Sequence, residues 1–512
     1  MKRVLVIAYY WPPAGGSGVQ RWVKFAKYLP ADDWAVTVYT PSNPEYTAVD
    51  RTLEAEVSPL TEVIRRPIVE PYGIYRRLMG KGSSTDMKTL TAAASGGAVT
   101  EISSGRKSWK QKLSLWIRGN VFVPDPRVGW VRPSVRYLKK FLSEHPVDVI
   151  VTTGPPHSMH LIGQKLHRDL GIPWVADFRD PWTRMYYLKY LPLSACTWKK
   201  LRRQEQSVLD ECSCVLACTP FVQKEFQAQT STPVACITNG FDEEDFACPA
   251  PVPDGYFNIT HTGLFASDGN PLELWKVLGS MASSDASFKA ALRLRLVGKV
   301  DQEVLDAISA AGLADNIVTL GYCDHATAIR EQRAATVLIL PLRNDPEYRP
   351  ILPGKLFEYL AAARPVLGIG QTDGAMAMVL TSTGAGTTAA WEDSAAMKAF
   401  MEHAWQQFRS GDSLGPKGPR NDNVIPSDSP VIPSDSPVIP SDFPVIPSDS
   451  SVIPSEASVS PDAGGVSPVS GDISAYSRRA TAHALAQLLS QVSARDGDGH
   501  EKGPKRARGR KV

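Results

Sequence analysis

Leu352-Pro353-Gly354-Lys355-Leu356-Phe357-Glu358-Tyr359-Leu360, followed by Arg364-Pro365-Val366-Leu367-Gly368-Ile369-Gly370, is the stretch that decides the fold. The spacing predicts a helix that starts at Pro353-Gly354 and ends before Pro365, with a buried strand behind it. An apolar run from Val337 to Leu342 reads as another strand in front. The unit is strand, loop, helix, strand. In such units the loop and the helix start lie at the carboxyl ends of parallel strands, where ligands bind. The unpaired N–H groups of Gly354 and its neighbours attract anions such as phosphate. Lys355 and Glu358 share one helix face at i and i+3, and Leu356, Phe357 and Leu360 pack on the other. A carboxylate beside an anion-binding helix start suits a nucleotide whose ribose offers hydroxyls.

Outward from this unit, strands and helices alternate along the chain. Strands are expected at Val4–Ala8, Ala35–Tyr39, Val147–Thr153, Trp174–Asp177, Val215–Cys218 and Val234–Ile237, then at Phe257–Thr262, Leu292–Val297, Ile317–Leu320, Val337–Leu340 and Val366–Ile369. Helices are expected at Gln20–Leu29 and Ser158–Leu170, among others. Alternation of this kind argues for an α/β protein with parallel sheets covered on both faces. Pro and small residues cluster at Pro249–Gly255 and mark a join. Two doubly wound domains facing across a cleft are the expected architecture, over residues 1–250 and 251–410. Residues 81–105, rich in Gly, Ser, Thr and Ala, read as an irregular excursion. Residues 424–456 repeat Val-Ile-Pro-Ser-Asp-Ser-Pro with small changes. Two prolines per repeat forbid helix and sheet ladders, so residues 411–471 read as an extended or disordered spacer. A helix with a packing face, Ile473 to Leu489, follows, and residues 491–512 read as a basic disordered tail.

Composition excludes some classes. Length of 512 residues accommodates two domains and tails, and 43% hydrophobic residues is ordinary for a globular chain. A net charge of +3 gives no argument for a nucleic-acid partner. Lys2 and Arg3 before Val4–Tyr10 resemble a signal peptide, but the apolar run is short and meets Pro12-Pro13, so it reads as the first strand. The longest apolar runs are too short to span a bilayer. Of seven cysteines, Cys212, Cys214 and Cys218 cluster without a zinc spacing and read as reduced thiols of a cytosolic protein. No metal site is expected. Arg106 to Arg118 mixes basic and aromatic residues, and Lys502 to Lys511 is basic. Each reads as a solvated segment or as a contact with the inner face of the plasma membrane.

Candidate sites fall at strand ends. Tyr10 to Val19 carries Gly15 and Gly16, and glycine lets backbone N–H groups approach a ligand. The loop is neither G-x-G-x-x-G nor a Walker loop. Thr152 to His160 places His157 where it can bond a ligand or move a proton, with His160 a turn further in as a packing residue. Asp177-Phe178-Arg179-Asp180-Pro181-Trp182 sets two carboxylates around an arginine, an arrangement equally explained by an ion-paired turn. Asn239-Gly240-Phe241-Asp242, Gly263, Gly298-Lys299, Gly321-Tyr322 and Arg349 to Glu358 follow on successive strand ends. Several glycines converging on one sheet edge suggest a nucleotide pocket.

These motifs, with Pro353 to Tyr359, resemble family 4 glycosyltransferases of the GT-B fold, in the bacterial branch that builds surface polysaccharide or lipid-linked glycans. The resemblance covers most of residues 1–405 and 472–490. It implies that the second domain binds a sugar nucleotide, that the first is the acceptor side, and that the helix over 472–490 crosses back onto the first domain. It implies retaining transfer of a sugar from a nucleotide-diphosphate sugar to a glycan or lipid-linked acceptor in cell-envelope polysaccharide synthesis, without cofactor or metal. His157, Asp180 and Glu358 are the expected catalytic residues. Gly15, Gly16, Gly263, Lys299, Arg349, Gly354, Lys355 and Glu358 are the expected donor-binding residues. Two departures stand out. Pro350 occupies the place eight before Glu358 where the family often has an acid, leaving Glu347 or a backbone group to substitute. The loop Ser267-Asp268-Gly269-Asn270 lacks the family's cations, leaving Arg349, Lys355 or Lys299 to neutralise the diphosphate. A sugar-nucleotide epimerase of the same fold and a non-catalytic nucleotide-sugar scaffold are the rival readings.

Overall fold

The computed structural model describes residues 1–46, 49–70, 109–185, 188–189, 191–249, 251–411 and 471–495. The excursion at 81–105, the repeat at 424–456 and the stretch from Lys502 to Lys511 lie outside the described residues.

Two parallel sheets form the framework. The first contains β1 (Lys2–Ile7), β2 (Trp34–Pro41), β3 (Glu62–Arg66), β4 (Val149–Gly154), β5 (Trp174–Phe178), β6 (Cys214–Ala217) and β7 (Val234–Cys236), in the spatial order β3-β2-β1-β4-β5-β6-β7. The second contains β8 (Phe257–Thr262), β9 (Leu292–Val297), β10 (Ile317–Gly321), β11 (Val337–Pro341), β12 (Val366–Ile369) and β13 (Gly386–Ala389), in the order β10-β9-β8-β11-β12-β13. Every adjacent pair is parallel, as helix-containing crossovers require. The central strands β4, β5 and β8 are buried along their whole length, and β1 from Val4 to Ile7, because helices cover both faces.

The edges β3 and β13 are additions to the strands expected from sequence. Glu-Val-Ile-Arg-Arg and Gly-Thr-Thr-Ala carry too little apolar residue to signal a strand, and each pairs on one side only. The first helix also starts at Ser17 rather than Gln20, because the glycine loop ends at Gly16.

Each sheet reverses its order once, between β1 and β4 and between β8 and β11. Loops diverge there and leave a crevice at the carboxyl ends. The first core includes Ala482, Leu485, Leu488, Leu489 and Val492 from the helix Arg478–Arg495, so this helix crosses back and packs on the first domain, against the helix Ser17–Tyr28. Each such aliphatic burial is worth about 1.5–3 kcal/mol. Just before it, Ile473 and Tyr476 pack on the second domain, with the Tyr476 ring centroid 5.6 Å from that of Phe357. The C-terminal stretch thus holds both domains.

Candidate functional site

The helix Gly354–Ala362 rises from the loop after β11, at the second reversal point. Leu356, Phe357, Tyr359 and Leu360 are buried, which leaves Lys355 and Glu358 half-buried on the opposite face. Glu358 is only partly exposed. Its Oε2 accepts from Nε2 of Gln332 at 2.8 Å, and the same amide donates to Thr262 Oγ1 at 3.1 Å. The Thr262 N–H donates to the Tyr359 hydroxyl at 3.0 Å. One carboxylate oxygen is thereby tethered to the end of β8, beside Gly263.

Lys355 sits against the same strand end. Its Nζ donates to Nε2 of His261 at 3.1 Å and lies 3.4 Å from the Leu264 carbonyl oxygen. Burial lowers the Lys355 ammonium to about 8, against the opposing pull of Glu358. Burial and the nearby ammonium hold His261 well below its ordinary range, so its ring is neutral and Nε2 serves as acceptor.

The facing wall is the first reversal point. Gly16 has φ 100°, a left-handed conformation that favours glycine, and the space beside its Cα is open. Gly15 precedes it in the same loop. Arg179 pins the loops together, donating from Nη1 to the Gly18 carbonyl at 2.9 Å, from Nε to that of Gly154 at 3.3 Å, and from Nη2 to that of Pro155. Asp177 is fully buried and accepts from Trp22 Nε1 at 2.7 Å and Thr153 Oγ1 at 2.8 Å, with an ion pair to Arg21 at 3.1 Å. Of the two readings open for the turn, ion-paired structure fits Asp177. Asp180, one residue before Pro181, is partly buried, and its carboxyl is pushed up by burial against the opposing charge of Arg179.

His157 lies deeper than a ligand-facing loop residue would. It is 3% exposed, precedes the helix Ser158–Leu170, and stacks on Trp182 with centroids 4.8 Å apart. Burial, His160 and Arg179 all lower its pKa, so the ring is neutral. Both nitrogens are without a hydrogen-bond partner among the described residues. The ring borders a pocket lined also by Tyr10, Phe122, Asp125, Arg127, Leu188 and Leu191, so a ligand in that pocket meets a neutral imidazole among apolar and charged side chains. His160 is buried, pairs through Nδ1 with Thr152 Oγ1 at 2.8 Å, and is lowered to about 3 by burial.

The other sequence candidates are dispersed. Arg349 pairs with Asp373 at 2.7 Å, and its guanidinium carbon lies 5.5 Å from the Phe221 ring centroid across the cleft. Glu347 is taken by Lys189 of the first domain at 3.5 Å, and the same ammonium reaches Asp345. Lys299 is exposed at the end of β9. Asp268 pairs with Arg343 at 2.9 Å, so the loop after β8 presents an acid already matched. Gln332 and His261 belong to the site without having been singled out in the sequence, and Tyr359, although inside the quoted motif, had no role assigned to its hydroxyl. No motif marks Gln332 or His261, and only the fold brings them to Glu358 and Lys355. Among the described residues no group of His, Cys, Asp and Glu is arranged to hold a metal ion, and no helix is long and apolar enough to cross a membrane.

Two such sheets, each with one reversal point facing a shared cleft and a C-terminal helix returning to the first, define the GT-B fold. Residues 93–245 match the family model of Glycosyltransferase Family 4, and residues 276–407 match that of Glycosyl transferases group 1. The chain is a glycosyltransferase of the GT-B fold. Solved structures agree on the fold. A trehalose 6-phosphate synthase from Burkholderia multivorans matches with a TM-score of 0.53 and 11% identity, over 98% of this chain and 99% of that one. Sucrose-phosphate synthase from Thermosynechococcus elongatus matches with a TM-score of 0.50 and 14% identity, over 81% and 92%. The N-terminal domain of a Candida albicans trehalose-6-phosphate phosphatase matches with 0.51 and 13%, over 81% and 92%. No curated protein matches the sequence.

Proposed function

We propose that the protein moves a sugar, with retention of anomeric configuration and without metal or cofactor, from a nucleotide-diphosphate sugar to a glycan or lipid-linked acceptor in cell-envelope polysaccharide synthesis. The observation that carries this reading is Glu358. Gln332 holds one of its oxygens in place, which leaves the carboxylate aimed and still able to accept from ribose hydroxyls. The start of the helix at Gly354 and the Lys355 ammonium lie one turn away, where the diphosphate of the same nucleotide falls. Gly263 lines this side, and the open Gly15-Gly16 turn approaches the donor from the opposite wall.

The chemistry needs charge stabilisation above all. When the bond from the anomeric carbon to the phosphate oxygen breaks, negative charge grows on the diphosphate. Fixed N–H groups and a nearby cation lower that barrier most effectively in a site screened from water. The acceptor hydroxyl enters from the first domain, and His157, neutral and next to the pocket, serves to orient a hydroxyl rather than to carry charge. Asp180 takes part from the β5 end. Lys299 and Arg349 contribute at the rim, Arg349 after releasing Asp373.

A position at the inner face of the plasma membrane is part of the same reading. On the helix Trp109–Asn120, Leu113 and Trp116 stand at i and i+3 and are 45% and 48% exposed, an apolar strip suited to lie in a headgroup layer near a lipid-linked acceptor.

Melting of the full chain with UDP, GDP, TDP and CMP sugars tests the proposal, since a ligand of the folded state raises the melting point. One donor class is expected to give a shift, and Glu358→Ala to abolish it. An undiminished shift in that variant places the donor elsewhere. Donor isomerisation without any acceptor points instead to an epimerase.

A further inference from the structure

Arg478 opens the helix Arg478–Arg495 and is 7% exposed. A short two-stranded crossing sets its place. The Phe241 N–H donates to the Tyr476 carbonyl at 3.0 Å, and the Arg478 N–H donates to the Phe241 carbonyl at 2.7 Å. Gly240 permits the crossing, because a Cβ there would collide with the Tyr476 carbonyl. Arg478 is thus held beside the link between the domains by a segment distant from both in sequence.

Its surroundings leave it short of partners. Arg21, Glu358, Asp242 and Cys218 lie within electrostatic reach. Asp242 is already matched by Lys24 at 2.7 Å, Lys27 at 3.2 Å and the Tyr28 hydroxyl at 2.6 Å. Arg21 adds a like charge and is matched by Asp177. Nη1 of Arg478 is buried without a hydrogen-bond partner among the described residues. A buried, unmatched guanidinium N–H is unfavourable unless something arrives to meet it.

We infer that Arg478 is a donor-binding residue whose guanidinium grips the diphosphate of the nucleotide sugar. It supplies from the C-terminal crossover the cation missing from the loop Ser267–Asn270. The inference rests on the nucleotide reading of the Glu358 site. Four other cations already have partners within the protein. Lys355 is held by His261, Arg349 by Asp373, Arg343 by Asp268, and Arg179 by three carbonyls. A planar guanidinium also matches two phosphate oxygens at once, which an ammonium does not. Donor binding and seating of the C-terminal helix are then linked, each strengthening the other.

Titration calorimetry and melting of the full chain with UDP, GDP, TDP and ADP, each against its own nucleoside, test this. For whichever diphosphate binds, Arg478→Gln weakens affinity about tenfold or more, while nucleoside affinity stays within about twofold. Arg478→Lys falls between. The ligand-free melting point of Arg478→Gln is equal to or above that of wild type, since an unmatched buried charge has been removed. Equal losses for diphosphate and nucleoside, with a lower ligand-free melting point, would show a structural role and overturn the inference. It is also overturned if Arg478→Gln binds the diphosphate like wild type while Glu358→Ala does not. Wild type that binds none of the four diphosphates overturns the donor reading and this inference with it.

Discussion

The two walls of the cleft handle buried charge in opposite ways. On the first domain, Asp177 is met by Arg21, Trp22 and Thr153, and Asp242 by two lysines and a tyrosine. On the second domain and the crossing beneath it, Glu358 has one tether, Lys355 leans on a neutral imidazole, and Arg478 keeps an unmatched N–H. Matched charges fix loop shape. Under-matched charges leave bonding capacity for a ligand. Removing the first kind should damage stability, and removing the second kind should damage binding.

The largest expected effect is on the matched side. Asp177→Ala strands Arg21 in the core and should cost about 3–5 kcal/mol in urea unfolding. A loss below about 1 kcal/mol would mean that the centre relaxes freely. Glu358→Ala should do the reverse, weakening nucleotide binding by roughly 10- to 100-fold in calorimetry while leaving the unfolding midpoint nearly unchanged. If it unfolds the protein instead, the contrast between the walls collapses.

Two smaller effects depend on pH. The Asp242 carboxylate is held below its ordinary range, its burial outweighed by bonds from Lys24, Tyr28 and Lys27. Its folded-state pKa lies below the unfolded one, so its stabilisation is complete above the unfolded value of about 3.9 and fades as pH falls below that. Wild type and Asp242→Asn should converge in stability on acidification, as followed by chemical denaturation across pH. Lys355 behaves oppositely. Its folded pKa of about 8 lies below the ordinary 10.5, so burial penalises the charged form. The unfolded chain binds the proton more tightly between those values, and stability should rise with pH across that window, a rise missing in Lys355→Met. A diphosphate beside the ammonium favours the charged form, so binding near pH 8 should take up as much as about half a proton, read as buffer-dependent calorimetric heat.

Legibility in the sequence followed burial and proximity. The central strands stood out because covered parallel strands are continuous apolar runs, whereas β3 and β13 border the sheets and read as polar loops. The helix carrying Glu358 was marked by Pro353, Gly354 and a clear apolar face. Gln332 and Arg478, in contrast, lie 26 and 120 residues from Glu358 and have no local pattern to single them out. His157 looked like a loop side chain because its stacking partner, Trp182, follows a different strand. Arg349 and Glu347 looked available because Asp373 and Lys189 meet them only after folding.

The bridge between Phe241 and Ser477 has one more consequence. Two separate passages of the chain cross between the lobes at one spot, and they are bonded to each other there. Any change in how the lobes sit must therefore carry both passages together, because parting them breaks the bonds from Phe241 to Tyr476 and from Arg478 to Phe241.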